Sequence, residues 1–376
     1  MQYQSTVFNQ LLKEVPRQWF DRTAERHKSG RAKRTLSPWG HMVAMVLVQL
    51  AGIRDLRTLE GIVDRHPGVL AHLGLERVAR STLSDANAGR PSALFEAVAG
   101  RLAAQAVGKN LGKEALRLID ATRMFAGTRA EAWAKGGVKL HVSFDAHAAR
   151  PVWFAVTGAR VNDIAAARMM PIEAGTTYVF DKGYYDFSFW AALHRASCRF
   201  VTRLKKNSPT ELVRERPAKG EGILFDRIVR PSKRLSSHRQ NPFTAKLRII
   251  GVAITGMAKI TLVTNDLKSS ARTIASLYKE RWQVELYFKW LKQNLKLGHF
   301  LGTSRNAVTI QIMAALIAYL LVRLAAMRNL AGNISLQAIT RLMPAAVLTR
   351  RPFSDLLAVP PKPPPIAKSQ LELAYA

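Results

Sequence analysis

The 376-residue sequence predicts an α/β fold: an all-helical N-terminal region, then a mixed five-stranded sheet with helices, interrupted by a β-rich insertion. Three observations predict it. Helix-length apolar patterns fill residues 1–108, broken at Pro38, Gly52, Pro67 and Gly74. From residue 114 the apolar period shortens to alternating or continuous runs separated by helical ones. Residues 207–270 are β-rich, after which a helical pattern resumes. The segments are therefore 1–108, 109–206, 207–270, 271–345 and a Pro-rich tail, 346–376, expected to be extended or disordered.

In the first segment "HMVAMVLVQLAG" has the composition of a core helix, and "GIRDLRTLEGIVDRH" is amphipathic. In "LGLERVARSTLSDANAGR", Ser81 is placed to cap a short helix carrying Thr82, Ser84, Asp85, Asn87 and Arg90. Two helices, a turn and a polar helix flanked by Arg suggest a helix-turn-helix-like DNA reader, with Arg90 as a DNA contact. A plain helical bundle predicts the same pattern.

The second segment opens with "EALRLID", a short apolar run ending in Asp120. "GVKLHVSFDA" and "RPVWFAVTGA" read as two strands joined by a hairpin turn at "HAAR". "NDIAAARMMPIEAG" predicts a helix stopped by Gly175, "TTYVFDKGYYD" a buried strand ending at Asp181, "FSFWAALHRASC" a helix and "RFVTRLKK" a strand. Lys205 and Lys206 close that strand as candidate DNA contacts. The insertion contains three β-rich runs, "GILFDRIVR", "AKLRIIGVAIT" and "AKITLVTN", and a polar basic loop, "RPSKRLSSHRQNPF". Between Arg203 and Arg248 there are 13 Lys or Arg against 4 Asp or Glu. That excess is larger than a folding module needs. "SRNAVTIQIMAALIAYLLVRLAAMRNL" and "SLQAITRLMPAAVL" complete the chain as partly buried helices.

Composition narrows the function. The sequence holds 57 Lys and Arg against 26 Asp and Glu, a net charge of +31. Such an excess attracts phosphate backbones through counterion release, so nucleic acid is the leading partner; a ribosome-associated or membrane-surface protein is the competing reading. Cys198 is the only cysteine, which excludes an intrachain disulfide and a cysteine zinc cluster and fits a reducing cytoplasm. The opening "MQYQSTVFNQLLKEVPRQWF" lacks a basic segment followed by an apolar run, so no signal peptide is expected. The longest apolar stretch, "IMAALIAYLLV", is too short to span a bilayer and predicts a buried helix.

The most informative stretch is "SLYKERWQVELYFKWLKQNLK", residues 276–296. At about 100° per residue on one helix, Tyr278, Arg281, Glu285 and Lys292 share a stripe about 60° wide. Leu277, Val284, Phe288, Leu291 and Leu295 form an apolar seam roughly 80° away, fit to dock on a core. Trp282 and Trp290 are expected to pack. Arg281 and Glu285 could be an ordinary ion pair, but the base precedes the acid, the less favourable order for an i,i+4 pair. The stripe points outward, toward a polyanion that a lone carboxylate meets through a cation.

Three acids stand out by placement: Asp120 and Asp181 at strand ends and Glu285 on this helix. If the two strands are neighbours, a helix across the sheet brings all three together. Converging carboxylates repel unless metal fills the gap. Hard oxygen donors favour magnesium or manganese, and two such ions about 3.5–4 Å apart suit in-line attack on a phosphodiester. Asp145, Asp163, Asp186 and Asp266 compete for the role; Asp163 follows Asn162 at a helix cap and Asp145 sits where a hairpin turns. His141, Asp145 and His147 could suggest zinc, or a turn with two incidental histidines.

"YKERWQVELYFKWLKQNLK" resembles the Tyr, Arg, Glu, Lys signature of the insertion-sequence-four family of DDE transposases, with two, three and six residues between its members. "VFDKGYYDFSFW" and "LRLIDATRM" resemble the blocks around that family's second and first catalytic aspartates. "GVKLHVSFD" and "RSTLSDANAGR" are similar to further family blocks, so the likeness covers roughly residues 5–330. The resemblance implies an RNase H-like catalytic core in which Asp120, Asp181 and Glu285 hold two Mg2+ or Mn2+ ions, with Tyr278, Arg281 and Lys292 on DNA phosphates. It implies a bacterial, cytoplasmic, nucleoid-associated DNA transposase, away from membranes, acting on double-stranded transposon ends and target as a homodimer. It would cut at terminal inverted repeats and join the 3′ ends to target DNA. The alternatives are a structure-specific nuclease or resolvase on the same core, or an inactive DNA-binding protein. One departure stands out. Better-known relatives flip a base near the transposon end onto a tryptophan in the insertion, and residues 207–270 contain none; either Phe225 or Phe243 serves as the stacking platform or the hairpin mechanism differs here, so release of the flank through hairpin ends stays open.

Overall fold

The computed structural model describes residues 5–29, 36–106, 114–124, 136–206, 208–236, 239–254, 257–294, 300–328 and 336–357. Leu295 of the predicted seam and residues 358–376 of the predicted tail lie outside them. The N-terminal helices are Val7–Leu12 (α1), Arg17–Arg26 (α2), Pro38–Leu50 (α3), Leu56–Arg65 (α4), Pro67–Ala71 (α5), Arg80–Gly89 (α6) and Ala93–Gln105 (α7). The start of α3 is written in its sequence: Ser37 accepts the Gly40 amide at 2.9 Å and Pro38 fills the first turn. Its residues from Trp39 to Leu50 are buried, as expected of a helix apolar all round. Ser81 does not cap α6. The cap position is Ala79, which makes no side-chain bond, and Glu60 of α4 accepts the Arg80 amide at 3.1 Å.

The sheet begins with Leu116–Met124 (β1), Val138–Asp145 (β2) and Arg150–Gly158 (β3), joined antiparallel. Thr177–Phe180 (β4) lies parallel to β1, and Arg199–Arg203 (β5) parallel to β4. Between them are Asp163–Ala167 (α8) and Phe187–Arg195 (α9). Helix α8 ends well before Gly175 because Pro171 disfavours helical backbone at the residue before it. Strand β1 does not end at Asp120 but runs on to Met124, so this acid is held in mid-strand.

The insertion strands are Thr210–Arg216 (β6), Ile223–Pro231 (β7), Leu247–Ile254 (β10) and Met257–Thr264 (β11), with a small ladder of Arg234–Ser236 (β8) and Arg239–Gln240 (β9) in the polar loop. Strands β6, β7, β10 and β11 continue the core sheet instead of forming a sheet of their own, while β8 and β9 pair only with each other. β11 pairs with β5, giving nine strands in the order β3-β2-β1-β4-β5-β11-β10-β7-β6. The chain then enters Ala271–Glu280 (α10), Trp282–Asn294 (α11), Arg305–Arg328 (α12) and Leu336–Ala346 (α13).

Helix α12 is buried along most of its length, packing against α3, α6 and α7. One continuous apolar core therefore joins the N-terminal helices, one face of the sheet and α11 to α13. A second core, built on Trp190, Tyr178, Phe180, Phe200 and Phe243, covers the other face. The first part of the predicted tail belongs to the first core: Phe353 and Leu356 are buried, and Val347 and Thr349 carbonyls accept the amides of Phe8 and Val7.

Candidate active site

Parallel pairing of β1 with β4 aligns Ile119 with Phe180, so Asp120 and Asp181 follow at neighbouring positions on the sheet. The alternation of the strands turns both toward the face covered by α11. Asp181 leaves β4 and accepts the Gly183 amide at 2.7 Å, starting a short 3₁₀ turn, Lys182–Tyr184. A Cβ at Gly183 would lie 2.8 Å from that same carboxylate oxygen, so glycine lets the turn close on the acid.

The predicted helix over 276–296 is two helices that meet at Arg281. Arg281 and Val284 amides bond to the Tyr278 and Arg281 carbonyls, i→i−3 contacts that tighten the junction. Helix α11 docks through Val284, Phe288 and Leu291, the predicted seam. Trp290 is buried with them, whereas Trp282 is 59% exposed and does not pack.

The result is one open cleft of about 630 Å³ lined by Asp120, Thr122, Asp181, Arg281, Glu285, Phe288, Lys289, Lys292 and Gln293, among others. Arg281 Nη2 lies 2.6 Å from Glu285 Oε1, and its Nη1 lies 3.5 Å from Asp120 Oδ2. Burial, reinforced by the like charges of Asp181 and Glu285, pushes the Asp120 carboxyl up to about 6 despite the Ala121 amide bond and Arg281. Burial of Arg281 opposes its charge, but Tyr278, Glu285 and Asp120 hold it protonated. The Arg281 guanidinium stands 5.7 Å from the centre of the Tyr278 ring. Lys289, one turn beyond Glu285, also lines the cleft. The i+4 spacing from Glu285 was the signal for it.

The donor set suits a hard divalent cation: three carboxylates line one cleft, and burial together with the like charges of its neighbours disfavours the ionised form of Asp120, which a cation there would relieve. Among the described residues no three such side chains are drawn close enough to form a finished metal cluster, and Arg281 stands between Asp120 and Glu285.

The remaining candidates lie elsewhere. Arg90 donates to the backbone carbonyls of Ser37, at 2.9 Å, and Leu36, and so anchors the start of α3. Lys205 and Lys206 are exposed beyond β5 and outside the cleft lining; Lys205 Nζ stands 4.9 Å from the Tyr185 ring centre. Asp145 accepts the His147 and Ala148 amides and pairs with Arg117 at 3.0 Å, a turn residue as its position implied. Asp163 pairs with Lys139, Asp186 caps α9 and Asp266 ties its own loop. His141 bonds Thr157, and no histidine cluster fit for zinc occurs among the described residues. Phe243 is 2% exposed inside the second core and has no free face. Phe225 is half-buried, its ring lying where a Cβ of Gly251 would be, with Arg227 and Lys259 beside it.

Residues 111–321 match the family described as transposase DDE domain, and residues 3–76 match a domain of unknown function (DUF4372). A Sinorhizobium fredii protein named as transposase y4zB is 41% identical over 76% of this chain and 81% of its own length. A Geobacillus stearothermophilus protein named as the transposase for insertion sequence element IS5377 is 29% identical over 55% of this chain and 56% of its own. A Synechocystis protein named for insertion sequence element IS4SA is 29% identical over 41% of this chain.

Proposed function

Because the chain belongs to the DDE transposase family, of the insertion-sequence type, we propose that it cuts DNA at the terminal inverted repeats of its element and joins the freed 3′ ends to target DNA. The observation that carries this reading is the single cleft shared by Asp120, Asp181 and Glu285 and bordered by Arg281, Lys289 and Lys292. The first five strands, in the order β3-β2-β1-β4-β5, support an RNase H-like core.

Asp120, Asp181 and Glu285 would hold two magnesium or manganese ions, which when bound activate the attacking oxygen and stabilise the leaving one. Asp120 and Asp181 are placed by neighbouring strands of the sheet, and Glu285 approaches on α11, so the donors come from three elements. Arg281 faces the phosphate of the reacting strand, Tyr278 packs beside its guanidinium with its hydroxyl buried outside the cleft lining, and Lys289 and Lys292 extend the grip along α11. Such fixed cations lower the barrier by meeting charge where it develops. Water, then the freed 3′ hydroxyl, attacks phosphorus, and the displaced oxygen leaves in line without a covalent enzyme intermediate. The N-terminal helices, with the exposed Arg80, Ser81, Ser84 and Asp85 of α6, supply recognition of the repeat. Two ends must meet, and a homodimer is the economical assembly.

The test uses a duplex of the repeat found in the DNA flanking the coding region, with supercoiled plasmid as target. Alanine at Asp120, Asp181 or Glu285 should abolish cutting. In chelator, affinity for the duplex should stay unchanged or rise, because a negative charge facing DNA is gone. A variant of the three that cuts normally sinks the assignment. Cutting without joining by the wild type would instead favour a nuclease.

A further inference from the structure

Residues 265–270 hand the chain from the inserted strands to the helix pair carrying Tyr278, Arg281 and Glu285. Two arginines of the insertion hold this loop. Arg216, at the end of β6, donates Nη1 to the Leu267 carbonyl at 2.6 Å, and Arg248, on β10, donates Nη1 to the Ser269 carbonyl at 2.5 Å. Both return to one carboxylate. Arg248 grips Asp226 of β7 through Nε at 2.8 Å and Nη2 at 2.7 Å, and Arg216 Nε stands 3.6 Å from the same acid. Register explains the convergence, since Asp226 pairs with Arg216 on one side and Ile250, two residues beyond Arg248, on the other. The loop is closed from within by Asp266, which accepts the Lys268 and Ser269 amides and the Ser269 hydroxyl. Ser270 then caps α10 by accepting the Thr273 amide at 3.0 Å.

Arg248 and Asp226 are 1% and 3% exposed. A buried ion pair adds little stability over apolar residues of similar volume, because desolvation offsets its Coulomb attraction. What this pair supplies is direction. Two forked donors, oriented by one acid, fix two carbonyls, Leu267 and Ser269, just before α10, which apolar side chains cannot do. We infer that Asp226 is a positioning residue: through Arg216 and Arg248 it sets the entry of α10, and with it the placement of Tyr278, Arg281 and Glu285 against Asp120 and Asp181. The inserted strands thereby act as a brace for the reaction centre. This rests on the proposed role of the three acids.

The decisive variant is the double substitution Asp226→Leu with Arg248→Met, which removes both buried charges at similar volume and keeps the fold stable, while releasing the Ser269 carbonyl. Arg216→Ala removes the other strap alone, and Arg216→Lys leaves a donor within reach of Leu267. Single-turnover cutting of the repeat duplex should fall roughly 10- to 100-fold in the double variant, as for a misplacement of about 1 Å. The loss should be smaller in Arg216→Ala and partly restored in Arg216→Lys. Duplex affinity should stay close to wild type in all three. Amide exchange over residues 267–275 should accelerate in Arg216→Ala, and this readout decides the matter if the double variant fails to fold. Wild-type cutting in a double variant of wild-type melting temperature overturns the inference, as does unchanged exchange in Arg216→Ala. Normal cutting by Asp120→Ala would instead remove the reaction centre, leaving exchange as the measure of the brace.

Discussion

Arg281 bonds Glu285 at 2.6 Å and so occupies, with a fixed positive charge, ground that a metal ligand would need. Its other terminal nitrogen, 3.5 Å from Asp120, faces a second such acid. A metal held by these acids, as proposed, would compete with the guanidinium for the same oxygens. Arg281→Ala should bind Mn2+ more tightly than the wild type, by roughly threefold to tenfold, since a unit charge a few ångströms away is removed. Calorimetric titration in the absence of DNA measures this. The same variant should join strands poorly, because the proposed phosphate contact is lost. Weaker metal binding in Arg281→Ala would mean that the arginine organises the acids and does not compete for them.

The raised Asp120 carboxyl carries a stability signature. A carboxyl that ionises near 6 when folded and near 3.8 when unfolded binds its proton more tightly in the native state. Its contribution favours folding at low pH and is lost as pH rises through about 6. Metal-free Asp120→Asn should melt at a higher temperature than wild type at pH 7.5, by at most roughly 3 kcal/mol of stability. The gap should close near pH 4. Thermal melts in chelator across this range provide the comparison, and a gap that widens on acidification would contradict the sign.

Asp145 separates a structural acid from a reacting one. It neutralises Arg117 at 3.0 Å, lies 3.7 Å from Arg150, and accepts two amides of its turn. Asp145→Ala leaves the buried Arg117 guanidinium with Glu173 alone, at 2.7 Å, and should destabilise the protein by about 2 kcal/mol. At a temperature where the variant remains folded it should still cut. Loss of cutting there, with a wild-type melting curve, would move Asp145 into the chemistry.

Lys289 and Lys292 offer an electrostatic test. Both are exposed on the cleft side of α11. If each meets one phosphate, alanine at either should lower the slope of log affinity against log salt by about 1. The melting temperature should scarcely move. A slope equal to wild type would place the DNA elsewhere.

Much of this architecture is legible in the residues themselves. The alternation in "GVKLHVSFDA" and "RPVWFAVTGA" and the apolar run before Asp181 appear as β2, β3 and β4, because side-chain period reports which face of an element is buried. Period does not report the partner. Nothing in "AKITLVTN" announces that β11 pairs with β5, so the insertion read as a module of its own. The shared stripe of Tyr278, Arg281, Glu285 and Lys292 follows from the sequence only if the helix is continuous. Arg281 instead sits at a junction between two helices, a backbone adjustment without a proline or glycine to mark it. Trp282 was expected to pack on composition alone, yet its angular position beside Arg281 faces outward. Arg90 looked like a DNA contact because its sequence neighbours are polar; its carbonyl partners at Leu36 and Ser37 are more than fifty residues away in the chain.

The burial of α12 between α3 and α7 has a consequence for synthesis. The ribosome makes α3 and α7 first, and some 200 residues separate the end of α7 from the start of α12. At about 5–20 residues per second that interval lasts roughly 10–40 s. Through it the apolar surfaces of α3 and α7 that α12 covers in the finished fold stay open to solvent, so the N-terminal helices complete their core only after α12 is made.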